Sequence, residues 1–132
     1  MLKELQIQTN RLNEFIDITD KVQKLVTEGG IMEGTVTVFI PHTTAGITVN
    51  ENTDHDVQKD MIKQLNDTIP YENNYAHIEG NSAAHIKASI MGFSVTIIIN
   101  RGSLLLGTWQ GLYFCEFDGP RKRRVFVKVM NG

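Results

Sequence analysis

An α+β fold is predicted from the way strand and helix patterns are distributed along the 132 residues. Alternating and β-branched segments, which are typical of strands, lie near the N-terminus and fill the last third of the chain. The helical patterns are clustered between these runs of strands, and this arrangement favours α+β over a doubly wound parallel sheet. With no internal repeat and no linker, the length fits one domain over residues 1–132.

Three strands and two helices are predicted in the first half of the chain. Polar and apolar residues alternate in the first strand, and β-branched residues dominate the second. Apolar residues at helical spacing, preceded by short polar residues that can cap a helix, indicate the two helices. The strands are Leu2 to Thr9, Thr35 to Ile40 and Ile47 to Val49, and the helices run from a cap at Ile18-Thr19-Asp20 to Gly29-Gly30 and from a cap at Thr53 to Pro70.

One loop, one short helix and four strands are predicted in the second half. The loop from Tyr71 to Asn81 has no apolar period, and Ser82 is expected to cap a helix that stops at Gly92. Apolar runs bounded by glycine and proline turns indicate the strands. These strands are Ser94 to Ile99, Ser103 to Leu106, Gln110 to Phe117 and Arg124 to Met130.

Composition limits the classes of function. Hydrophobic residues make up 41% of the chain and charged residues 21%, which is typical of a globular protein. A formal charge of −2 argues against non-specific nucleic-acid binding, and no apolar run is long enough to span a membrane. The single cysteine, Cys115, excludes an internal disulfide and favours a reducing cytoplasm, and its strand position indicates a buried structural thiol.

The first polar segment that stands out runs from Pro41 to Asn52. An apolar strand stops at His42, and a second strand delivers Asn50 and Glu51 at its end, where scaffolds often present functional groups. Alternatively, Thr43 and Thr44 only satisfy local backbone groups in a turn, with His42 in an ordinary hydrogen bond.

The second segment, from Tyr75 to His85, contains two histidines. Neutral imidazoles are common metal ligands, and the free N–H groups of a helix that begins near Ser82 can receive a phosphate. Alternatively, His77 is solvated and His85 packs. The spacing of the two histidines does not decide between a binding site and these ordinary structural roles.

The third segment runs from Gly107 to Arg121. Strand alternation places Glu116 and Asp118 on one face, where paired acids can serve as acid and base or complete a metal site. The alternative is a polar outer face of an antiparallel sheet. Trp109 can stack on a heteroaromatic ligand or belong to the core, and Arg121 can bind an anion.

Together these segments resemble the YjbQ-like family over nearly the whole chain. The resemblance rests on HTTAGITVNEN at 42–52, HIEGNSAAHIKAS at 77–89 and LGTWQGLYFCEFDGPR at 106–121. It implies two packed sheets, a homotrimer, and a weak thiamine-phosphate synthase activity that joins a pyrimidine diphosphate to a thiazole phosphate. The polar positions of the family motifs fall on His42, Asn50, Glu51, Asp54, His77, Ser82, His85, Glu116 and Arg121.

We therefore expect an enzyme that acts on a phosphorylated small molecule. A divalent ion, zinc or magnesium, would be held by His42, His77 and His85. Glu51, Asp54 and Glu116 are the candidate catalytic groups, and the ligand would be bound by Asn50, Ser82, Trp109 and Arg121. Two alternatives stay open: a non-catalytic protein that binds a metal or phosphometabolite, and polar residues that only hold the trimer together.

Overall fold

The computed structural model describes every residue from Met1 to Gly132. It contains eight strands and three helices. In chain order these are β1 (Leu2–Gln8), β2 (Glu14–Asp17), α1 (Thr19–Glu28), β3 (Glu33–Phe39), β4 (Ala45–Glu51), α2 (Asp56–Thr68), α3 (Ser82–Met91), β5 (Ser94–Asn100), β6 (Ser103–Leu104), β7 (Gln110–Glu116) and β8 (Lys122–Asn131). None of the three helices is both long and apolar enough to cross a membrane.

The strands form two sheets in which every pairing is antiparallel, so the predicted α+β class is confirmed. The larger sheet has the order β1-β8-β3-β5-β6, and the smaller sheet has the order β2-β7-β4. The connections that lead from one sheet to the other include the β3–β4 turn and the β7–β8 turn. These two turns contribute most of the site described below.

The hydrophobic core is built from both sheets because strand side chains alternate between the two faces. Val125, Val127 and Val129 of β8 share one buried cluster with Leu112 and Phe114 of β7. The opposite face of β7 carries a second cluster, in which Tyr113, Cys115 and Phe117 pack against Ala84 and Ala88 of α3. Helix α3 is therefore fixed on the smaller sheet.

Cys115 is fully buried in that second cluster. Burial raises the pKa of the Cys115 thiol well above its ordinary value, so the thiolate does not form near neutral pH. The prediction of a structural thiol on a strand agrees with this environment.

Several element boundaries differ from those predicted. Strand β2 was not predicted, because its four residues are too few to show an alternation. Strand β4 is longer than Ile47 to Val49 and starts at Ala45. Gly46 allows this extension, since a Cβ there would lie 2.8 Å from the carbonyl oxygen of Gly92 at the end of α3. Strand β6 is shorter than predicted and ends at Leu104.

The predicted helix caps at Thr53 and Ser82 are wrong. Asp54, rather than Thr53, supplies the side-chain acceptor, because its Oδ1 receives the N–H of Asp56 at 3.0 Å. Helix α3 is preceded by Asn81, and Ser82 is its first helical residue. Asn81 does not cap the helix with its side chain, since its amide donates to Asp118 instead, with an N–O distance of 3.0 Å.

Candidate functional site

A cleft of about 880 Å³ lies where the β3–β4 turn, the loop before α3 and the β7–β8 turn meet. We call it the histidine cleft and define it by His42, His77, His85, Asp118 and Arg121. All three candidate histidines line this space, together with Arg121 from the same predicted set. The remaining polar lining residues are Thr43, Thr44, Glu79, Asn81 and Arg123.

His42 is placed in the cleft by the end of β3. Pairing between β3 and β8 ends at Phe39 and Phe126, so the β8 residues that precede Phe126 have β1 as a partner on one side and no β3 partner on the other. The Nε2 atom of His42 accepts the N–H of Arg124 at 2.9 Å and thereby continues the pairing with a side chain. Burial, followed by the positive charge of Arg123, lowers the pKa of His42 below its ordinary value.

His77, in the loop before α3, and His85, in the first turns of α3, form a pair in the cleft. Their ring centroids are 5.6 Å apart and the rings are nearly perpendicular. The turn from His77 to Gly80 closes with a backbone hydrogen bond of 3.2 Å, and Gly80 has a φ of +78°, a conformation that favours glycine. Glu79 lies in the same turn, with its Oε1 atom 3.9 Å from Nε2 of His77.

Asp118 connects the β7–β8 turn to the start of α3. Its Oδ2 atom accepts from Asn81 at 3.0 Å and from Nη2 of Arg121 at 3.1 Å, while its carbonyl oxygen accepts from Nε of Arg121 at 2.9 Å. The half-exposed guanidinium of Arg121 is thus held at the cleft. Its Nη1 group makes no hydrogen bond within the chain and is free to bind an anion.

Glu116 does not face the cleft, because it forms a fully buried ion pair with Arg123 behind the wall. Its oxygens also accept from Oγ1 of Thr9 at 2.8 Å and from the N–H of Asp118 at 3.0 Å. Burial alone would raise the pKa of Glu116, but these hydrogen bonds and the charge of Arg123 outweigh it and lower the pKa. In this position Glu116 holds Arg123 and the β7–β8 turn in place behind the cleft.

Arg123 was missed at the sequence level, although a signal was present. It alternates with Val125, Val127 and Val129, and counting back by two places it on the inward face of β8. Its Nη2 group donates to Oγ1 of Thr44 at 2.8 Å, so it also fixes the start of β4. A charged residue at an inward position indicates a buried partner.

Lys87 is a second buried cation near this wall, on α3. Its side chain is fully buried, hydrogen-bonded to Oδ1 of Asn66, and its Nζ atom lies 3.9 Å from the ring centroid of Tyr71. Tyr71 in turn donates to the carbonyl oxygen of Phe117 at 2.6 Å. Because none of these partners is anionic, burial lowers the pKa of Lys87 to about 8.

The structure does not bring the other predicted residues into the cleft within one chain. Strand β4 begins beside Glu116 and ends with Glu51 beside Gln110, which separates its two ends by about 20 Å. Ser82 lies next to the cleft, on a smaller cavity of about 470 Å³ that His77 and His85 also line. The residues at the far end are Asn50, Glu51, Asp54 and Trp109.

The polar groups at the far end satisfy one another locally. Glu51 accepts the N–H of Thr53 at 2.9 Å, and Asp54 accepts the N–H of Asp56. The N–H of Asn52 donates to the carbonyl oxygen of Trp109 at 2.9 Å, while the Trp109 side chain is 60% exposed. This end is therefore a well-ordered turn with an exposed aromatic ring.

A three-ligand metal site is not formed by side chains of one chain. No group of three or more histidine, cysteine, aspartate or glutamate side chains is arranged so that it could hold a metal ion. His77 and His85 are close enough to act as a pair. The three histidines His42, His77 and His85 are therefore not arranged to hold one metal ion together within a single chain.

The fold and the three motifs define a member of a family that has been recognised across bacteria and archaea. The chain belongs to the UPF0047 protein YjbQ-like family, whose model matches residues 3–132. It is 52% identical over 131 residues to the UPF0047 protein YugU of Bacillus subtilis, covering 98% of this chain and 99% of that protein. It is 50% identical over 130 residues to the UPF0047 protein MJ1081 of Methanocaldococcus jannaschii, covering 98% and 94%.

Solved structures show the same fold. A yjbq/upf0047 family protein from Clostridium acetobutylicum superposes with a TM-score of 0.95 at 55% identity, covering 97% of this chain and 99% of that one. A YbjQ-like protein of unknown function from Sulfolobus solfataricus gives a TM-score of 0.95 at 30% identity, covering 100% and 97%. The arrangement of two sheets and three helices is thus common to relatives of low identity.

Proposed function

We propose that the chain is a small-molecule enzyme that binds a phosphorylated metabolite in the histidine cleft. The observation that carries this proposal is the convergence of His42, His77 and His85 with the free Nη1 group of Arg121 around one open space. Imidazoles bind phosphate oxygens and transfer protons near neutral pH, and a guanidinium binds phosphate oxygens while it stays charged. The alternative is a protein that binds such a metabolite without converting it.

A divalent ion would be held by His77 and His85 rather than by all three histidines. Two imidazoles on one tetrahedral zinc ion have centroids about 5 Å apart, and the observed separation is 5.6 Å. The imidazole donors favour zinc over magnesium, which prefers oxygen ligands. When bound, such an ion would polarise a phosphoryl oxygen or a water molecule, and the remaining ligands would come from the substrate, water or a second subunit.

The reaction proposed is a group transfer of the thiamine-phosphate synthase type. In that reaction a pyrimidine diphosphate joins a thiazole phosphate and pyrophosphate is released. The cleft supports it with a cation for the departing pyrophosphate, at Arg121, and with a neutral imidazole, at His42. The resemblance to proteins with this weak activity suggests a side reaction, with a different phosphorylated compound as the main substrate.

The resemblance to the family suggests a homotrimer, and the exposed face of the larger sheet offers a surface for the contact between subunits. Leu2, Phe39, Ile98 and Met130 lie on that face and are 40–61% exposed. An apolar sheet face of this kind is typical of an intersubunit contact. Sedimentation equilibrium should give three times the monomer mass of 14.9 kDa, and a monomer at micromolar concentration would contradict this part of the proposal.

Turnover in two matched histidine variants tests the proposed enzyme. His85→Ala should lower the rate of thiamine-phosphate formation, or of any turnover found in a panel of phosphorylated metabolites, by roughly tenfold or more. His55→Ala is the control, because His55 is exposed before α2 and lines no part of the cleft. Equal rates in the two variants would contradict the proposal, and binding without turnover across the panel would favour the non-catalytic alternative.

A further inference from the structure

We infer that His42 binds the ligand by donating a hydrogen bond from Nδ1–H to an anionic oxygen and is not a metal ligand. The inference rests on the proposed function for the presence of a phosphorylated ligand in the cleft. It goes further by giving this histidine a role different from that of His77 and His85. It also specifies that the ligand presents an anionic oxygen to His42, and not a cation or a neutral hydrogen-bond donor.

The hydrogen bond to Arg124 determines the tautomer of His42. A backbone N–H can only donate, so Nε2 must accept with its lone pair. A protonated imidazole has no free lone pair, and a neutral one carries its single hydrogen on the other nitrogen. His42 is therefore neutral with the hydrogen on Nδ1, and neither nitrogen offers a lone pair to a metal ion.

The contact that holds Nε2 is part of the fold. It provides the partner of a β8 backbone N–H beyond the last β3–β8 pair, at Phe39 and Phe126. Turning the ring toward a metal ion would remove this partner. The Nδ1 atom, in contrast, makes no hydrogen bond within the chain and is not among the buried atoms that lack one, so it is accessible to a ligand.

The charges around His42 favour an anionic acceptor. Arg121 lies on the cleft side, and Lys122 and Arg124 line a second cavity of about 530 Å³ that His42 also borders. Of the nearby acids, Glu116 is paired with Arg123, Asp118 with Arg121 and Glu4 with Arg124, while Glu79 lies beside His77. Lys122 has no acid partner and the Nη1 group of Arg121 is free, so the groups still available beside His42 suit an anion. Burial, followed by the charge of Arg123, also lowers the pKa of His42 and disfavours a protonated imidazole.

Nitrogen-15 NMR of histidine-labelled wild-type protein tests the tautomer. Between pH 7 and 8 we expect Nδ1 of His42 to show a protonated-type resonance and Nε2 an unprotonated-type one. Added zinc should shift the ring resonances of His77 and His85 and leave the His42 pattern unchanged. A hydrogen on Nε2, or displacement of the His42 ring resonances by zinc, would overturn the inference.

Two isosteric variants test the donor in titrations with inorganic pyrophosphate. The amide of His42→Asn takes the place of Nδ1 and can donate, so affinity should stay within about threefold of wild type. His42→Gln keeps an acceptor near Arg124 but loses the donor, so affinity should fall roughly tenfold or more. The reverse order, or equal affinities, would overturn the inference. A wild-type protein that binds no pyrophosphate would instead contradict the proposed function, whereas the spectrum would still decide the tautomer.

Discussion

The two ends of strand β4 carry similar residue types in very different environments. At its start, Thr44 and the neighbouring Glu116 belong to a buried network with Arg123, and His42 just before it lines the histidine cleft. At its end, Glu51 accepts one backbone N–H in an exposed turn. Both ends looked like candidate functional positions in the sequence. Only the first is built so that polar groups from distant segments face one space.

The difference shows what distinguishes a site from a polar turn. Side chains at the cleft end include some with partners more than 70 residues away in the chain, as in the contacts of Arg123 with Thr44 and of Arg124 with His42. The carboxylates of Glu51 and Asp54 at the far end accept only from backbone groups two positions away. Long-range polar contacts cost chain entropy, so they persist only where burial or charge pairing stabilises them.

The largest expected effect is on stability, from breaking the buried ion pair. Glu116→Ala leaves Arg123 buried without its counter-charge and should lower the free energy of unfolding by about 3–5 kcal/mol. Glu51→Ala, the matched change at the other end of β4, should cost no more than about 1 kcal/mol. Urea denaturation measures both free energies of unfolding. Similar losses of stability in the two variants would show that the polar groups at the two ends of β4 contribute equally to stability.

A second expected effect concerns Lys87, whose pKa is lowered to about 8 in the folded chain. Between pH 8 and the ordinary value of 10.5 the unfolded chain binds more protons, so the folded state gains stability as pH rises. Relative to Lys87→Met, wild type should gain on the order of 2 kcal/mol across this window. Denaturation at pH 8 and pH 10 measures it, and a difference that does not change with pH would show that Lys87 is not held in a low-dielectric site.

The smallest expected effect is the difference in stability between variants at the starts of α2 and α3. Asp54→Ala removes the acceptor of the Asp56 N–H and should cost about 1 kcal/mol. Ser82→Ala should change stability by less than about 0.5 kcal/mol, because the Ser82 hydroxyl makes no hydrogen bond within the chain. A larger loss for Ser82→Ala in thermal denaturation would restore Ser82 as the cap of α3.

The fold class and most elements could be predicted from the sequence because long periodic segments carry a strong local signal. Strands such as β5 and β8 alternate or are rich in β-branched residues, and their limits lie within two residues of those predicted. Strand β2 is too short to show an alternation, and the role of the residue before α3 could not be predicted because it depends on a tertiary partner. Asn81 illustrates this, because its amide bonds to Asp118 across the fold rather than to the helix it precedes.

The candidate site was predictable in part. The three histidines and Arg121 share the cleft, whereas Glu116 lies behind it and Glu51, Asp54 and Trp109 lie at the other end of the sheet. Sequence patterns indicate which residues are polar at unusual places, but not which sheet end they occupy. Which end they occupy is set by the antiparallel register of β4 and β7, a long-range property.

Ligand binding in the histidine cleft is tested most directly by mapping where inorganic pyrophosphate binds, using backbone amide NMR of the labelled wild-type chain. We expect the largest shift changes at residues 42–44, 77–85 and 118–121, with the Asn50–Asp54 turn little affected. Changes concentrated at that turn and at Trp109, with none around the three histidines, would contradict it.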